Sequence, residues 1–198
     1  MDAWNKGHPM GQKRPFKLEE IWRIRTRLEL EHNIAELALL NLAIDSKLRA
    51  CDLLHLKVQD ITSSGIINPR VRLIQRKTHR DVQFEITPKT QHSLTSWLLE
   101  KGLTAEDYLF PSPRSIHQPM SYSYYRSRVK NWASQLGQNS ELYGTHSLRR
   151  TKATLIYRRT KDIRAIQILL GHVKLDNTVR YFGVEIEDAL RISEAIEV

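Results

Sequence analysis

The sequence predicts a mainly helical domain with a small antiparallel β-hairpin, an α+β fold. Three observations lead there: apolar residues recur at helical spacing through most of the chain, period-two alternation is confined to residues 71–86, and Gly and Pro number only 8 and 7. At 198 residues, 40% hydrophobic and 27% charged, the chain can bury one sizeable core. Its composition excludes collagen-like, low-complexity and mostly disordered proteins.

The first fifteen residues, MDAWNKGHPMGQKRP, mix Gly, Pro and basic side chains without a hydrophobic period. They read as a flexible basic arm, 1–15, ahead of one folded unit, 16–198, with no separate N-terminal domain. Leu18, Ile21, Trp22 and Leu28 mark a first helix, and 33–45 a more apolar second, both facing one core. The segment LRACDLLHL, 48–56, predicts a short third helix with Leu53 and Leu56 inward and Arg49 and Asp52 sharing another face. A short strand is expected at 58–61. Val71-Leu73 and Val82-Phe84-Ile86 flank the polar tip Arg76-Lys77-Thr78-His79-Arg80, which predicts the hairpin. Thr87-Pro88 opens a helix over 88–100, since proline suits the first helical position. Phe110-Pro111-Ser112-Pro113 reads as a loop, and Ser121 caps a helix over 122–136. Further helices are expected over 147–158, 162–170, 177–182 and 186–196.

The 31 Lys and Arg against 22 Asp and Glu give a net charge of +9, a field that favours polyanions such as nucleic acid. The single cysteine, Cys51, cannot form an internal disulfide, and no signal peptide is recognised, so a cytoplasmic protein is expected. No apolar stretch reaches the roughly 20 residues of a membrane span; the best candidate, 34–44, is interrupted by Glu36 and Asn41.

Two motifs stand out in the last third. In Thr145-His146-Ser147-Leu148-Arg149-Arg150, Thr145 can cap a helix whose first turn presents His146 and Arg149 on one side, a good seat for a phosphate. In Leu169-Leu170-Gly171-His172, Gly171 stops a helix and turns His172 out of the buried stripe, and Tyr181 follows nine residues later. Taken singly, each is compatible with a surface charge or a packing residue. His146, His172, His79 and His55 match no metal-ligand spacing, and no Gly-rich phosphate loop, HExxH or CxxC is present, so no metal or nucleotide cofactor is expected.

In order along the chain, Arg49, Asp52, Lys77, His146-x-x-Arg149, Leu-Gly-His172 and Tyr181 resemble the catalytic domain of the tyrosine recombinase, or phage integrase, family. The contexts LRACDLLHL, HSLRRTKAT and LLGHVKLDNTVRYFG carry the resemblance together with the spacings. It implies the DNA breaking-rejoining fold and site-specific strand cleavage through a 3′-phosphotyrosine. Tyr181 would be the nucleophile, a phenol of ordinary pKa near 10 that needs a proton acceptor. Arg49 and Arg149 would clamp the phosphate oxygens, which planar guanidiniums do bidentately. His146 and His172 would donate to the same phosphate, with His146 exchanging the tyrosine proton. Lys77 would protonate the departing 5′ oxygen, and Asp52 would orient Arg49 or a neighbouring histidine.

The resemblance also implies a helix in the major groove, with Tyr122, Ser123, Arg126 and Lys130 as DNA contacts: Ser123 and Arg126 for bases, Lys130 for phosphate. Double-stranded DNA is the expected partner, and the amphipathic residues Ile186, Ala189, Leu190, Ile192 and Ile196 would either pack within their own chain or join copies into a homo-oligomer, a tetramer on DNA. The chain departs from the family by its short arm and by Arg150, which stands where many relatives carry histidine. Two other readings of the same residues are a DNA-binding accessory protein with little turnover and a type IB topoisomerase-like relaxing activity.

Overall fold

The structure is a computed structural model that describes residues 13–182 and Glu194. Its first helix, α1 (Leu18–Leu30), buries Ile21, Ile24 and Leu28, and the Glu20 carboxylate accepts from the Lys17 N–H at 2.8 Å to close its first turn. The second, α2 (Ile34–Ser46), starts on Asn33, whose side-chain oxygen accepts from the Glu36 N–H, and is buried on every side from Ala38 to Ser46. A helix apolar all round belongs in the middle of a core. Here α2 packs against α1 and against two later helices, α4 (Pro88–Lys101) and α6 (Thr145–Thr160).

Lys47 ends α2 in the left-handed region, at φ 54°. The third helix, α3 (Ala50–Leu53), is a single turn, shorter than the expected 48–56, and Arg49 is its extended N-cap residue instead of sharing a helical face with Asp52. The apolar spacing there serves burial along an irregular chain: Leu54 and Leu56 are core residues, and the Leu56 carbonyl accepts from the Leu109 N–H.

Residues 58–60 form a 3-10 turn where a strand was expected, because the Asp60 carboxylate accepts from the Lys57 N–H at 2.7 Å and curls the chain. A tight hairpin of β1 (Thr62–Ser63) and β2 (Ile66–Ile67) follows, turning at Ser64 and Gly65, both at positive φ as such two-residue turns require. The predicted hairpin is present as β3 (Arg70–Ile74) against β4 (Asp81–Glu85), with Val71 opposite Phe84 and Leu73 opposite Val82. Its buried face, Val71, Val82 and Phe84, joins the core.

Residues 110–113, expected as a loop, open a third hairpin, β5 (Pro111–Ser112) with β6 (Ser115–Pro119). Its first strand is too short to show an alternation. Capped by Ser121, α5 (Tyr122–Gln135) buries Tyr125, Val129, Trp132 and Ala133 on one stripe. Helix α6 begins at Thr145, with Gly144 and not Thr145 as N-cap residue and the Ser147 hydroxyl accepting from the Gly144 N–H. Then come α7 (Ile163–Leu170), capped by Asp162, and α8 (Leu175–Phe182). The expected helix over 186–196 lies outside the described residues.

Lys13 and Arg14, assigned to the arm, are tied to the start of α6. The Arg14 N–H donates to the Leu142 carbonyl, Arg150 donates to the Lys13 carbonyl at 2.8 Å, and Phe16 stacks on Tyr143.

Candidate active site

Arg149 is the anchor of the site. It lies one turn into α6, 2% exposed, and its guanidinium donates to two backbone carbonyls, Lys47 at the end of α2 (2.5 Å) and Leu170 at the end of α7 (2.7 Å). The helix C-termini that supply those carbonyls point the negative ends of their dipoles at the cation. His172 follows Leu170 across Gly171, whose φ of 64° turns the chain and whose missing side chain makes room for Val82 and Gln75.

The His172 ring is fixed on both sides, with Nδ1 3.0 Å from the Thr178 hydroxyl and Nε2 3.4 Å from an Arg149 amine. A guanidinium only donates, so Nε2 is the acceptor and the ring is neutral with its proton on Nδ1. Burial first, then the charges of Arg149 and Arg49, lower its pKa to about 4. Sequence reasoning expected His172 to donate to the phosphate; without DNA, Nε2 faces Arg149, and donation from Nε2 requires the ring proton on that nitrogen, with Nδ1 then accepting from the Thr178 hydroxyl.

His146 occupies the exposed side of the first turn of α6. Its pKa is lowered by partial desolvation, then by Arg149, Arg49, Arg150 and Lys77. The elements meet through a chain of hydrogen bonds, from Arg49 to Gln75 beside the hairpin tip, from Gln75 to the Leu170 carbonyl, and from Arg149 on α6 to that same carbonyl. Arg49, partly buried, donates to the Gln75 side-chain oxygen at 2.5 Å, and Lys77 is exposed at the tip of the β3–β4 hairpin.

Asp52 is 3% exposed, and one of its oxygens accepts from the Arg76 N–H at 2.8 Å. It therefore holds the hairpin that carries Lys77, where sequence reasoning gave it Arg49 or a histidine. Tyr181 is on the last turn of α8, beyond His172; its side chain lies outside the described part of the structure. Tyr122, Ser123 and Arg126 are exposed on α5, and the Tyr122 hydroxyl lies 3.5 Å from that of Thr145, next to His146. Lys130 is held by Glu141 at 2.5 Å.

Below Arg149 lies a group of charges that the sequence did not signal. Lys47 is fully buried, and its ammonium donates to the Asp45 carbonyl and to both Glu85 oxygens at 3.1 Å. Lys152 bridges the carboxylates of Asp45 (2.6 Å) and Glu85 (2.5 Å), and Asp45 also accepts from Thr87 and Thr90. Burial pushes Asp45 upward, but the hydrogen bonds from Lys152, Thr90 and Thr87 outweigh it and hold the carboxyl below its usual range. Burial lowers the Lys47 pKa, against the opposing pull of Glu85.

A model of the phage integrase family matches residues 16–188. The chain belongs to that family. Over 174 residues it is 30% identical to a probable integrase/recombinase, YoeC, of Bacillus subtilis, covering 88% of this chain and 90% of that protein. Over 153 residues it is 31% identical to the tyrosine recombinase XerC of Haemophilus influenzae, covering 75% of this chain and 49% of that protein. It thus spans about nine-tenths of the first relative and half of the second.

Among solved structures, the XerA recombinase matches at a TM-score of 0.73 with 23% identity, covering 94% of this chain and 66% of that one. The XerH site-specific recombinase bound to its difH substrate matches at 0.71 with 20% identity, covering 96% and 55%. The fold is that of a tyrosine recombinase catalytic domain, and the family is one of tyrosine-type site-specific recombinases.

Gln75 and Lys47 are the site residues that sequence reasoning missed. Neither carries a signal in the linear pattern: Gln75 reads as one more polar residue beside a hairpin tip, and Lys47 as a solvated lysine after a helix.

Proposed function

We propose that this recombinase cleaves and rejoins duplex DNA through Tyr181, with Arg49, Lys77, His146, Arg149 and His172 as the groups around the scissile phosphate. The observation that supports it best is the hydrogen-bonded chain from Arg49 through the Gln75 amide to the Leu170 carbonyl and Arg149, since it joins two guanidiniums distant in sequence beside the hairpin turn that carries Lys77. A duplex phosphodiester is the anion such a cluster fits, and the net charge of +9 draws the rest of the DNA.

In the proposed step the phenolic oxygen of Tyr181 attacks phosphorus, the new O–P bond forms and the P–O5′ bond breaks. The phenolic proton passes to His146, which partial burial and then the surrounding cations hold in the neutral form that can accept it. Lys77 gives a proton to the departing 5′ oxygen, and the two guanidiniums offset the charge that grows on the non-bridging oxygens. The phosphotyrosine retains the energy of the diester, so attack by another 5′-hydroxyl rejoins the strand without a nucleotide. A cofactor has no role in these steps.

We assign Arg126, Ser123 and Tyr122, exposed on α5, to the groove beside the cleaved phosphate. Lys130 would leave Glu141 for a phosphate. We assign residues 16–198 to the catalytic unit and residues 186–196 to joining copies into a tetramer on DNA, in the cytoplasm.

The test uses a nicked suicide duplex, chosen by covalent capture from a randomised duplex library, and follows the adduct resistant to denaturing detergent. Wild-type chain should form it and Tyr181→Phe should not. Equal adduct from Tyr181→Phe, or binding without any adduct, contradicts the proposal; the latter leaves a DNA-binding protein without turnover.

A further inference from the structure

The amide of Gln75 sits at the centre of the site without belonging to the reacting set. It is 1% exposed, and its oxygen accepts from Arg49 at 2.5 Å and from the Thr78 hydroxyl at 2.6 Å. Its nitrogen faces the Leu170 carbonyl at 3.4 Å, the same carbonyl that Arg149 holds at 2.7 Å. Its backbone closes the hairpin tip, the N–H donating to Arg80 and the carbonyl accepting from the His79 N–H. A β-carbon at Gly171 would come within 3.1 Å of its nitrogen, so the bareness of the turn before His172 is fitted to this side chain.

One buried amide thus touches Arg49, the turn that carries Lys77, the carbonyl that anchors Arg149 and the bend that aims His172. We propose that Gln75 is a positioning residue for cleavage, a hub that fixes Arg49 relative to Arg149 before DNA arrives. This deepens the reading of the site as a phosphodiester-cleaving centre and rests on it.

The physical reason is the mobility of an arginine at the edge of a site. Arg149 is held through two of its nitrogens by two carbonyls, whereas Arg49 stands at the N-cap of a one-turn helix that gives its side chain little support. A guanidinium free to swing must be ordered by the phosphate itself, at an entropic cost that falls in the cleavage step. Held by Gln75, it is already in place. The amide is neutral, so it orders the cation without cancelling the charge that the phosphate is to meet.

Two measurements test this on the full chain. In the DNA-free protein, the side-chain Nε–H of Arg49 should lose order in Gln75→Met and in Gln75→Ser, read by nitrogen relaxation, while that of Arg149 keeps it. Gln75→Glu, which retains both accepted hydrogen bonds, should keep Arg49 ordered. With the captured suicide duplex, Gln75→Met should slow covalent capture by up to about 10²-fold, the scale expected for misplacing a catalytic group by an ångström. Duplex affinity should change less than about twofold, because uniform binding is not what Gln75 supplies.

Of the two duplexes with a scissile non-bridging oxygen replaced by methyl, the diastereomer lacking the oxygen that Arg49 meets leaves that guanidinium nothing to offset, and Gln75→Met should cleave it within about threefold of wild type. A merely structural role would slow both substrates alike. Unchanged order at Arg49, or equal slowing of the charged and neutral substrates, overturns the proposal. If wild-type chain captures no duplex at all, the cleavage reading fails, and the relaxation data alone still decide whether Gln75 holds Arg49.

Discussion

Replacing Gly171 with alanine isolates the closest approach in the site. Gly171 sits at φ 64°, and an added β-carbon would lie 2.6 Å from a Val82 methyl and 3.1 Å from the Gln75 amide nitrogen. Gly102, at the end of α4, has nearly the same backbone, φ 66°, but nothing within 4 Å of the same position. The backbone penalty for alanine in this region is about 1 kcal/mol at either site. Forcing a methyl against a short, buried valine adds about 1–3 kcal/mol of overpacking. Gly171→Ala should therefore lose about 2–4 kcal/mol and Gly102→Ala about 1, measured by urea unfolding with equal slopes. The thermal midpoint should fall by roughly 2–4 °C for each kcal/mol in a domain of this size. Covalent capture should also fall in Gly171→Ala alone, because relief of the clash shifts the Leu170 carbonyl and His172. A difference between the two variants below about 0.5 kcal/mol would refute the reasoning, since unrelated surface sites differ by that much.

Other expectations follow from the same geometry. The folded pKa of His172, about 4 against an ordinary 6.5, means that the unfolded chain takes its proton first. Its contribution is complete above pH 6.5 and lost as the pH falls toward 4, by about 1–2 kcal/mol once solvent screening of the half-buried ring is allowed for. His172→Gln should flatten that arm of a urea-midpoint titration, while the lowered carboxyls of Asp45 and Glu85 carry the loss further into acid. Lys47→Met should cost about 2–4 kcal/mol by leaving Glu85 with Lys152 alone, and adding Glu85→Gln should recover part of it. Arg149→Lys, whose ammonium cannot bridge the carbonyls of both Lys47 and Leu170, should slow covalent capture by about 10²–10³-fold with a smaller loss of duplex affinity. In salt titrations of duplex binding, Arg126→Ala should reduce the slope by about one, and Lys130→Ala by less because Glu141 already partly offsets that charge.

The sequence revealed most of the fold wherever an element buries a regular stripe. The core stripe of α5 with its Ser121 cap, the proline at the start of α4 and the alternating faces of β3 and β4 are all visible in the sequence. It failed where burial and secondary structure part company: LRACDLLHL has helical spacing but spends one turn as helix, because Lys47 breaks α2 in a left-handed conformation and Arg49 stays extended. The 3-10 turn at 58–60 and the two-residue strand β5 carry no period to read.

For the site, the motif residues Arg49 and Arg149 could be named from the sequence, and in the structure Gln75 and the Leu170 carbonyl link them. The partners of each group were not legible, because they are backbone atoms and buried polar groups. Arg149 is seated on two carbonyls, Asp52 on a hairpin N–H, and Arg49 on an amide that only the tertiary fold brings near.

The most direct measurement is the chemistry of the trapped link. After covalent capture and digestion with protease and nuclease, mass spectrometry should find a nucleotide attached through its 3′ phosphate to the peptide containing Tyr181, with a free 5′-hydroxyl on the released strand. Attachment to another residue, such as Tyr122 or Tyr157, or linkage through a 5′ phosphate, would contradict the roles of His146 as base, Lys77 as acid and Tyr181 as nucleophile.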